Sequence, residues 1–207
     1  MILKQHEVSG GYGSNCYIIG CEETKEAAVI DPGGDGEKII AILDRHQLTP
    51  RYIINTHGHL DHIGANTEIK DKYNCEVLIH EEDQEMLTNP MKNLSGMMGR
   101  KIVSPPADRP LKQGDVIEIG NIKLEVIHTP GHTKGGICLR TDDMVFTGDT
   151  LFSGSVGRSD FPGGNHTTLI NSIKDKLMVL DDDVVVYSGH GPESTIGDEK
   201  ANNPFLR

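Results

Sequence analysis

The segment His57-Gly58-His59-Leu60-Asp61-His62 gathers three imidazoles and a carboxylate into six residues. Neutral imidazole nitrogen and carboxylate oxygen are the donors that zinc, iron and manganese favour, whereas a set of thiolates would mark a structural zinc. His57 and His59, at alternate positions, can turn toward one ion, and Asp61 and His62 toward a neighbour as the chain enters a helix. Without a metal the same residues would be a polar helix entry with Asp61 as its N-cap. Such a density of donors in one short loop argues for the metal. The chemistry on offer is hydrolysis, because a bound divalent ion brings the pKa of water from 15.7 to near neutrality.

The apolar run Tyr52-Ile53-Ile54 reads as a strand that delivers this loop. Three more strand-like runs end in candidate ligands. Ile122 to Ile127 leads to Thr129-Pro130-Gly131-His132, Met144 to Phe146 leads to Thr147-Gly148-Asp149, and Val184 to Tyr187 leads to Ser188-Gly189-His190-Gly191. Four strand ends therefore converge on one site.

In this order the four segments resemble the metallo-β-lactamase superfamily and, within it, the glyoxalase II-like thioester hydrolases. The resemblance implies an α/β fold, the four-layer αβ/βα sandwich, with two mixed sheets face to face and helices outside. It implies two divalent metal ions, zinc first, with iron or manganese as the other options. His57, His59 and His132 would hold one ion and Asp61, His62 and His190 the other, with Asp149 bridging them. Asp61 and Asp149 would thus be the catalytic carboxylates, and a metal-held hydroxide the nucleophile toward a thioester of the S-D-lactoylglutathione type, as in methylglyoxal detoxification. Asp31 is similar to the acidic residue that ends the third strand across the superfamily. There it stands behind the ligands and accepts an imidazole N–H.

Arg158, in the segment after Asp149, is placed to border the groove, where its planar fork can take a substrate carboxylate. The other reading of Arg158 is a salt bridge to Asp160. Longer glyoxalase II enzymes add a C-terminal helical domain and place an acid and an aromatic where Gly191-Pro192 stands here, so glutathione as the thiol carrier does not carry over. The alternative function is a mononuclear-iron persulfide dioxygenase, a family that shares a segment like Gly157-Arg158-Ser159-Asp160-Phe161. A β-lactamase is disfavoured because its dizinc forms generally use a cysteine where Asp149 stands, and a non-enzymatic metal-binding protein is disfavoured because no ligand position is broken.

With 207 residues the chain suits one domain spanning 1–207. The net charge of −11 argues against nucleic acid, whose phosphates need clustered Lys and Arg. Neither a signal peptide nor a membrane-spanning run is evident, so a cytoplasmic protein acting on a small molecule is expected. Oligomeric state is not legible. Cys16, Cys21, Cys75 and Cys138 form no Cys-x-x-Cys pair and read as free thiols.

Along the chain, strands are expected over Ile2 to Val8, Asn15 to Ile19 and Ala27 to Ile30, with a glycine-rich turn at Gly10-Gly11-Tyr12-Gly13. Helices are expected over Asp35 to His46, Ile63 to Tyr73 and Thr168 to Leu177, the first and last on their apolar stripes. His6, His46, His80, His128 and His166 read as structural or surface residues. The methionine-rich stretch 88–106 reads equally as a lid or as a loose connection.

Overall fold

The computed structural model describes residues 1–9 and 13–207. The turn expected at Gly10-Gly11-Tyr12-Gly13 therefore lies outside them, apart from Gly13. Six strands form one sheet in the order of the chain: β1 (Ile2–Glu7), β2 (Asn15–Gly20), β3 (Glu26–Ile30), β4 (Thr49–Ile54), β5 (Glu76–His80) and β6 (Arg109–Leu111). The first three are antiparallel neighbours, and β3 through β6 run parallel. Parallel neighbours need crossovers. Here these carry α1 (Gly36–Arg45), then α2 (Leu60–Ile63) and α3 (Asn66–Tyr73), then α4 (Gln84–Thr88).

The second sheet is built from β7 (Val116–Ile119), β8 (Ile122–His128), β9 (Ile137–Arg140), β10 (Met144–Gly148), β13 (Val185–Ser188) and β14 (Ser194–Thr195). A small hairpin, β11 (Leu151–Phe152) and β12 (Ser155–Val156), stands apart from both sheets. The helix expected to begin at Thr168 begins two residues earlier, as α5 (His166–Ser172), and relaxes into a π turn over Ile173–Leu177. The chain closes with α6 (Ile196–Asn202).

Strand side chains alternate between faces, and the core divides accordingly into three layers. Tyr17, Ile19, Ala28, Ile30, Ile54 and Leu78 of the first sheet meet Ile117, Leu124, Val126, Leu139 and Phe146 of the second. Their sequence neighbours Ile18, Val29, Ile53 and Val77 point the other way, onto Ile39 and Leu43 of α1 and Ile69 of α3. On the far side Cys138, Val145 and Val186 pack against Leu169, Ile173, Leu177 and Ile196. This is the αβ/βα sandwich. All four cysteines are buried, free thiols.

The helix expected from Ile63 to Tyr73 begins three residues later, as α3, and is preceded by the separate short helix α2, which ends at Ile63. At the break the Ala65 amide donates to the Pro32 carbonyl at 2.9 Å, and a Cβ on Gly64 would lie 2.3 Å from the Gly33 carbonyl oxygen. The turn after β3 thus presses against the chain where it would otherwise continue as helix, and leaves Asp61 and His62 on one short turn of their own.

Candidate metal centre

Each expected ligand sits just beyond a strand end on one rim of the sandwich. His57 and His59 follow β4, Asp61 and His62 lie in α2, and His132, Asp149 and His190 follow β8, β10 and β13. The two sheets are joined at this rim. The Ile137 amide donates to the Thr56 carbonyl at 2.9 Å, and the buried Asn15 side chain donates to the carbonyls of Ser188 at 3.0 Å and Gly191 at 2.9 Å. Close approach demands glycine at two points. A Cβ on Gly33 would lie 1.6 Å from the Asp61 carbonyl oxygen, and one on Gly189 would lie 2.4 Å from Asp149 Oδ1.

Two groups of potential ligand atoms result, His57 with His59 and His132, and Asp61 with His62 and His190. His59 Nδ1 and His132 Nε2 face each other at 2.9 Å. Asp149 lies between the groups. Its Oδ2 is 3.6 Å from His132 Nε2, while its Oδ1 is 3.4 Å from His62 Nε2 and 3.5 Å from His190 Nε2. Asp61 Oδ2 is 3.3 Å from His190 Nε2.

The tautomers follow from what the other ring nitrogens do. His132 Nδ1 donates to the Arg158 carbonyl at 2.6 Å, which leaves Nε2 of the neutral ring as a lone pair aimed inward. His62 Nδ1 donates to Asp31 Oδ2 at 3.0 Å, so Nε2 is the nitrogen that faces inward. Asp31 also accepts from the Thr56 amide at 2.7 Å and the Thr56 hydroxyl at 2.6 Å. Its oxygens are thereby engaged behind the imidazoles, although it lies near enough to His57 and His62 to form a third possible group with them. Asp31 takes φ +51°, a left-handed conformation that is costly for a residue with a Cβ.

The donor set fits metal ions. His57 Nε2, His62 Nε2 and Asp149 Oδ1 are buried without a hydrogen-bond partner among the described residues. Buried polar atoms of this kind are rare in folded proteins and call for a reason such as an ion. Burial, and then the neighbouring imidazoles, hold His57 well below the ordinary histidine range and push His59 down to about 3, the neutral form that binds metal. Burial acts the same way on His62, but the carboxylates of Asp61, Asp149 and Asp31 outweigh it and push that ring up to about 10. For Asp61 burial works against ionisation, yet His62 and His190 hold its carboxyl well below the usual range. Negative charge is thus concentrated around His62, where a cation would be stabilised.

Not every histidine cluster is a chelate. His80, Glu82 and His128 also lie close together. The two rings are stacked with centroids 4.0 Å apart and planes 15° from parallel, so their in-plane lone pairs do not converge. His80 Nδ1 instead accepts from the Glu82 amide, and His128 Nε2 donates to the Lys134 carbonyl.

A residue with no sequence signal, Asp83, ties the ligand loops together. Fully buried, it accepts from the Thr133 hydroxyl at 2.7 Å and the Gly135 amide at 2.8 Å, and the Gly58 amide also points at it. Burial pushes its carboxyl upward, against those hydrogen bonds. It sits in an acidic run, Glu81-Glu82-Asp83, that resembles any helix entry, so its role depends on contacts 50 and 52 residues away in sequence.

The cavity over the site, about 310 Å³, is lined by His59, Asp61, His132, Asp149 and His190 on its floor, with Leu94, Met98, Phe152, Phe161 and Arg158 around them. Arg158 Nε and Nη2 donate to Asp160 at 3.0 and 2.9 Å, and the guanidinium lies 4.2 Å over the Phe161 ring. The salt bridge read as the alternative for Arg158 is therefore present.

Residues 9–190 match the family model described as the metallo-beta-lactamase superfamily. Hydroxyacylglutathione hydrolase GloC of Haemophilus influenzae is 38% identical over 199 residues, covering 94% of this chain and 93% of its own. Among solved structures, BLEG-1 B3 metallo-beta-lactamase superposes with a TM-score of 0.94 at 40% identity, covering 99% of each chain. ETHE1 from Myxococcus xanthus gives 0.82 at 29%, covering 99% of this chain and 84% of its own. With its motifs, its sandwich and the family match all in agreement, the chain belongs to the metallo-β-lactamase superfamily.

Proposed function

We propose that the protein is a dinuclear-metal hydrolase of thioesters. The observation that carries this reading is Asp149, which turns one oxygen toward each of two complete ligand groups. When bound, two divalent ions would supply water acidified to near neutral pH and a Lewis acid for the carbonyl. His57, His59 and His132 would hold one, Asp61, His62 and His190 the other, with Asp149 shared. Zinc, iron and manganese all suit these donors. The reaction consumes water and a thioester and gives a carboxylate, a thiol and one proton, with the C–S bond breaking and the oxygen of water staying on the acyl carbon.

The chain's own part is positioning. Asp31 and the Arg158 carbonyl fix the ring orientations of His62 and His132, so that each ring, in its neutral metal-binding form, presents the Nε2 lone pair to the centre. Phe152 and Phe161 flank the floor and shed water from it. A thiolate leaves without a strong general acid, which suits a floor whose carboxylates are all committed to the imidazoles. Arg158, 65% exposed, contributes at the rim. Replacing it with alanine is expected to raise KM about two- to fivefold for a thioester with an anionic carrier, with kcat unchanged, since exposed ion pairs are weak. A steady-state comparison with a neutral carrier checks this.

The GloC relative supports glutathione thioesters as the substrate class, the hydroxyacyl type among them, while the ETHE1 neighbour keeps the mononuclear-iron reading as the second one. The likeness to a B3 metallo-beta-lactamase places a β-lactam among the substrates tried. The test is hydrolysis of S-D-lactoylglutathione and of a β-lactam by the same preparation, before chelation, after it, and after metal is restored. Thioester turnover that vanishes and returns with the metal supports the proposal. Turnover of the β-lactam alone would overturn it.

A further inference from the structure

Resting on the thioester-hydrolase reading, we propose that the site selects thioesters with a short apolar acyl chain, and that the segment 89–102 builds the selecting wall. Around the candidate ligands the described lining consists of Leu60, Leu94, Met98, Phe152, Phe161 and Arg158. None but Arg158 offers a polar side chain, and two of its nitrogens already face Asp160. A hydroxyl next to the reacting carbonyl would find no uncharged side-chain partner in this wall, whereas methylenes would be covered on several sides. Phe161 stands edge-on to His59 and Phe152 edge-on to His190, with ring centroids 5.7 and 5.9 Å apart, so the apolar surface reaches both ligand groups.

The segment that carries Leu94 and Met98 is built rather than loose. Asn93 and Ser95 are completely buried. The Asn93 amide donates to the carbonyls of Met86 and Ile102, both at 3.0 Å, and its side-chain oxygen accepts from the Ser95 amide at 3.0 Å. The Ser95 hydroxyl oxygen accepts from the Ile102 amide at 3.1 Å, which closes the segment on itself. Its anchor is the Asn93 carbonyl, which accepts at 3.0 Å from the amide of Leu60, the residue between His59 and Asp61. Within this frame Leu94 is held at φ +70°, a conformation unfavourable for a leucine. A strained residue persists where its surroundings over-determine it, and such residues cluster at ligand clamps. Leu94 is buried while Met98 is about half exposed, so a fixed apolar contact is paired with an adaptable one.

The test holds the thiol constant as glutathione and varies the acyl group through acetyl, butyryl and D-lactoyl on the metal-loaded protein. The expected result is a kcat/KM that rises about threefold or more per added methylene, placing butyryl roughly tenfold above acetyl and above D-lactoyl. Met98→Ala is expected to lower the butyryl-to-acetyl ratio at least about threefold and Met98→Leu to retain it, with circular dichroism confirming that both fold. Hydrolysis with a flat ratio, a preference for D-lactoyl, or a ratio indifferent to Met98→Ala would overturn the inference and leave thioester hydrolysis standing. No hydrolysis of any of the three by protein with both metals bound would overturn both.

Discussion

Replacing Asp149 with alanine is expected to lower thioester turnover about 10²- to 10³-fold and to reduce bound metal below that of the parent protein, while the fold persists. The rate effect has the size seen when a preorganised electrostatic partner is deleted from an active site. The metal effect has a geometric cause. Among the described residues Asp149 turns one oxygen toward each candidate ligand group, at 3.6 Å from His132 Nε2 and 3.4 Å from His62 Nε2, so its loss would remove a candidate donor from both at once. The fold should survive because the carboxylate makes no hydrogen bond that a strand or turn depends on; Oδ1 is buried and unpartnered among the described residues. Asp149→Asn, which keeps one oxygen donor, is expected to fall between. Metal content by atomic absorption beside kcat checks both, and an unchanged rate with unchanged metal would remove the shared role.

Asp31 should matter nearly as much without touching substrate. Asp31→Asn is expected to weaken metal binding roughly 10- to 100-fold, the usual scale for partners behind a ligating histidine. The amide keeps one acceptor but puts an NH₂ either where the Thr56 amide donates, at Oδ1, or where the Thr56 hydroxyl and His62 Nδ1 donate, at Oδ2, so at least one of these three bonds is lost. A buried donor left unpaired costs about 1–3 kcal/mol, or roughly 2–10 °C in Tm for a chain of this size. Asparagine tolerates the left-handed backbone at φ +51°, so the change isolates hydrogen bonding from strain, and Asp31→Ala should lower Tm further by adding strain. Thermal melts of the metal-free variants separate the stability effect from chelator-competition measurements of affinity. A parent-like affinity in Asp31→Asn would show that the His62 tautomer is set elsewhere.

What could be read from the sequence follows the range of the forces involved. The apolar runs of β2 and β3, buried on both faces, and the stripe Ile39, Ile42 and Leu43 of α1, turned inward on one, are local consequences of burial, so those elements lie where the pattern puts them. The candidate ligands stand out in the sequence because their types and spacing are improbable without a metal, and their expected grouping came from family resemblance. The break between α2 and α3 was not legible, since it depends on the Pro32 and Gly33 carbonyls arriving from another part of the chain. Asp83 and Asn15 were missed for the same reason: a buried polar residue looks like a surface one until its partners are known. The 88–106 stretch has no periodicity because its order comes from Asn93 and Ser95 bonding to backbone, not from an apolar face. β11, β12 and β14, two residues each, are too short to carry a pattern.

The central claim is that both ligand groups, bridged by Asp149, work together on a thioester. It is tested most directly by titrating metal-free protein with Zn²⁺ or Fe²⁺ while following hydrolysis of S-D-lactoylglutathione together with oxygen uptake in the presence of glutathione persulfide. The account predicts that hydrolysis rises to a plateau at two equivalents of metal per chain and that no oxygen is consumed. A plateau at one equivalent of iron, with oxygen uptake and no thioester cleavage, would contradict it.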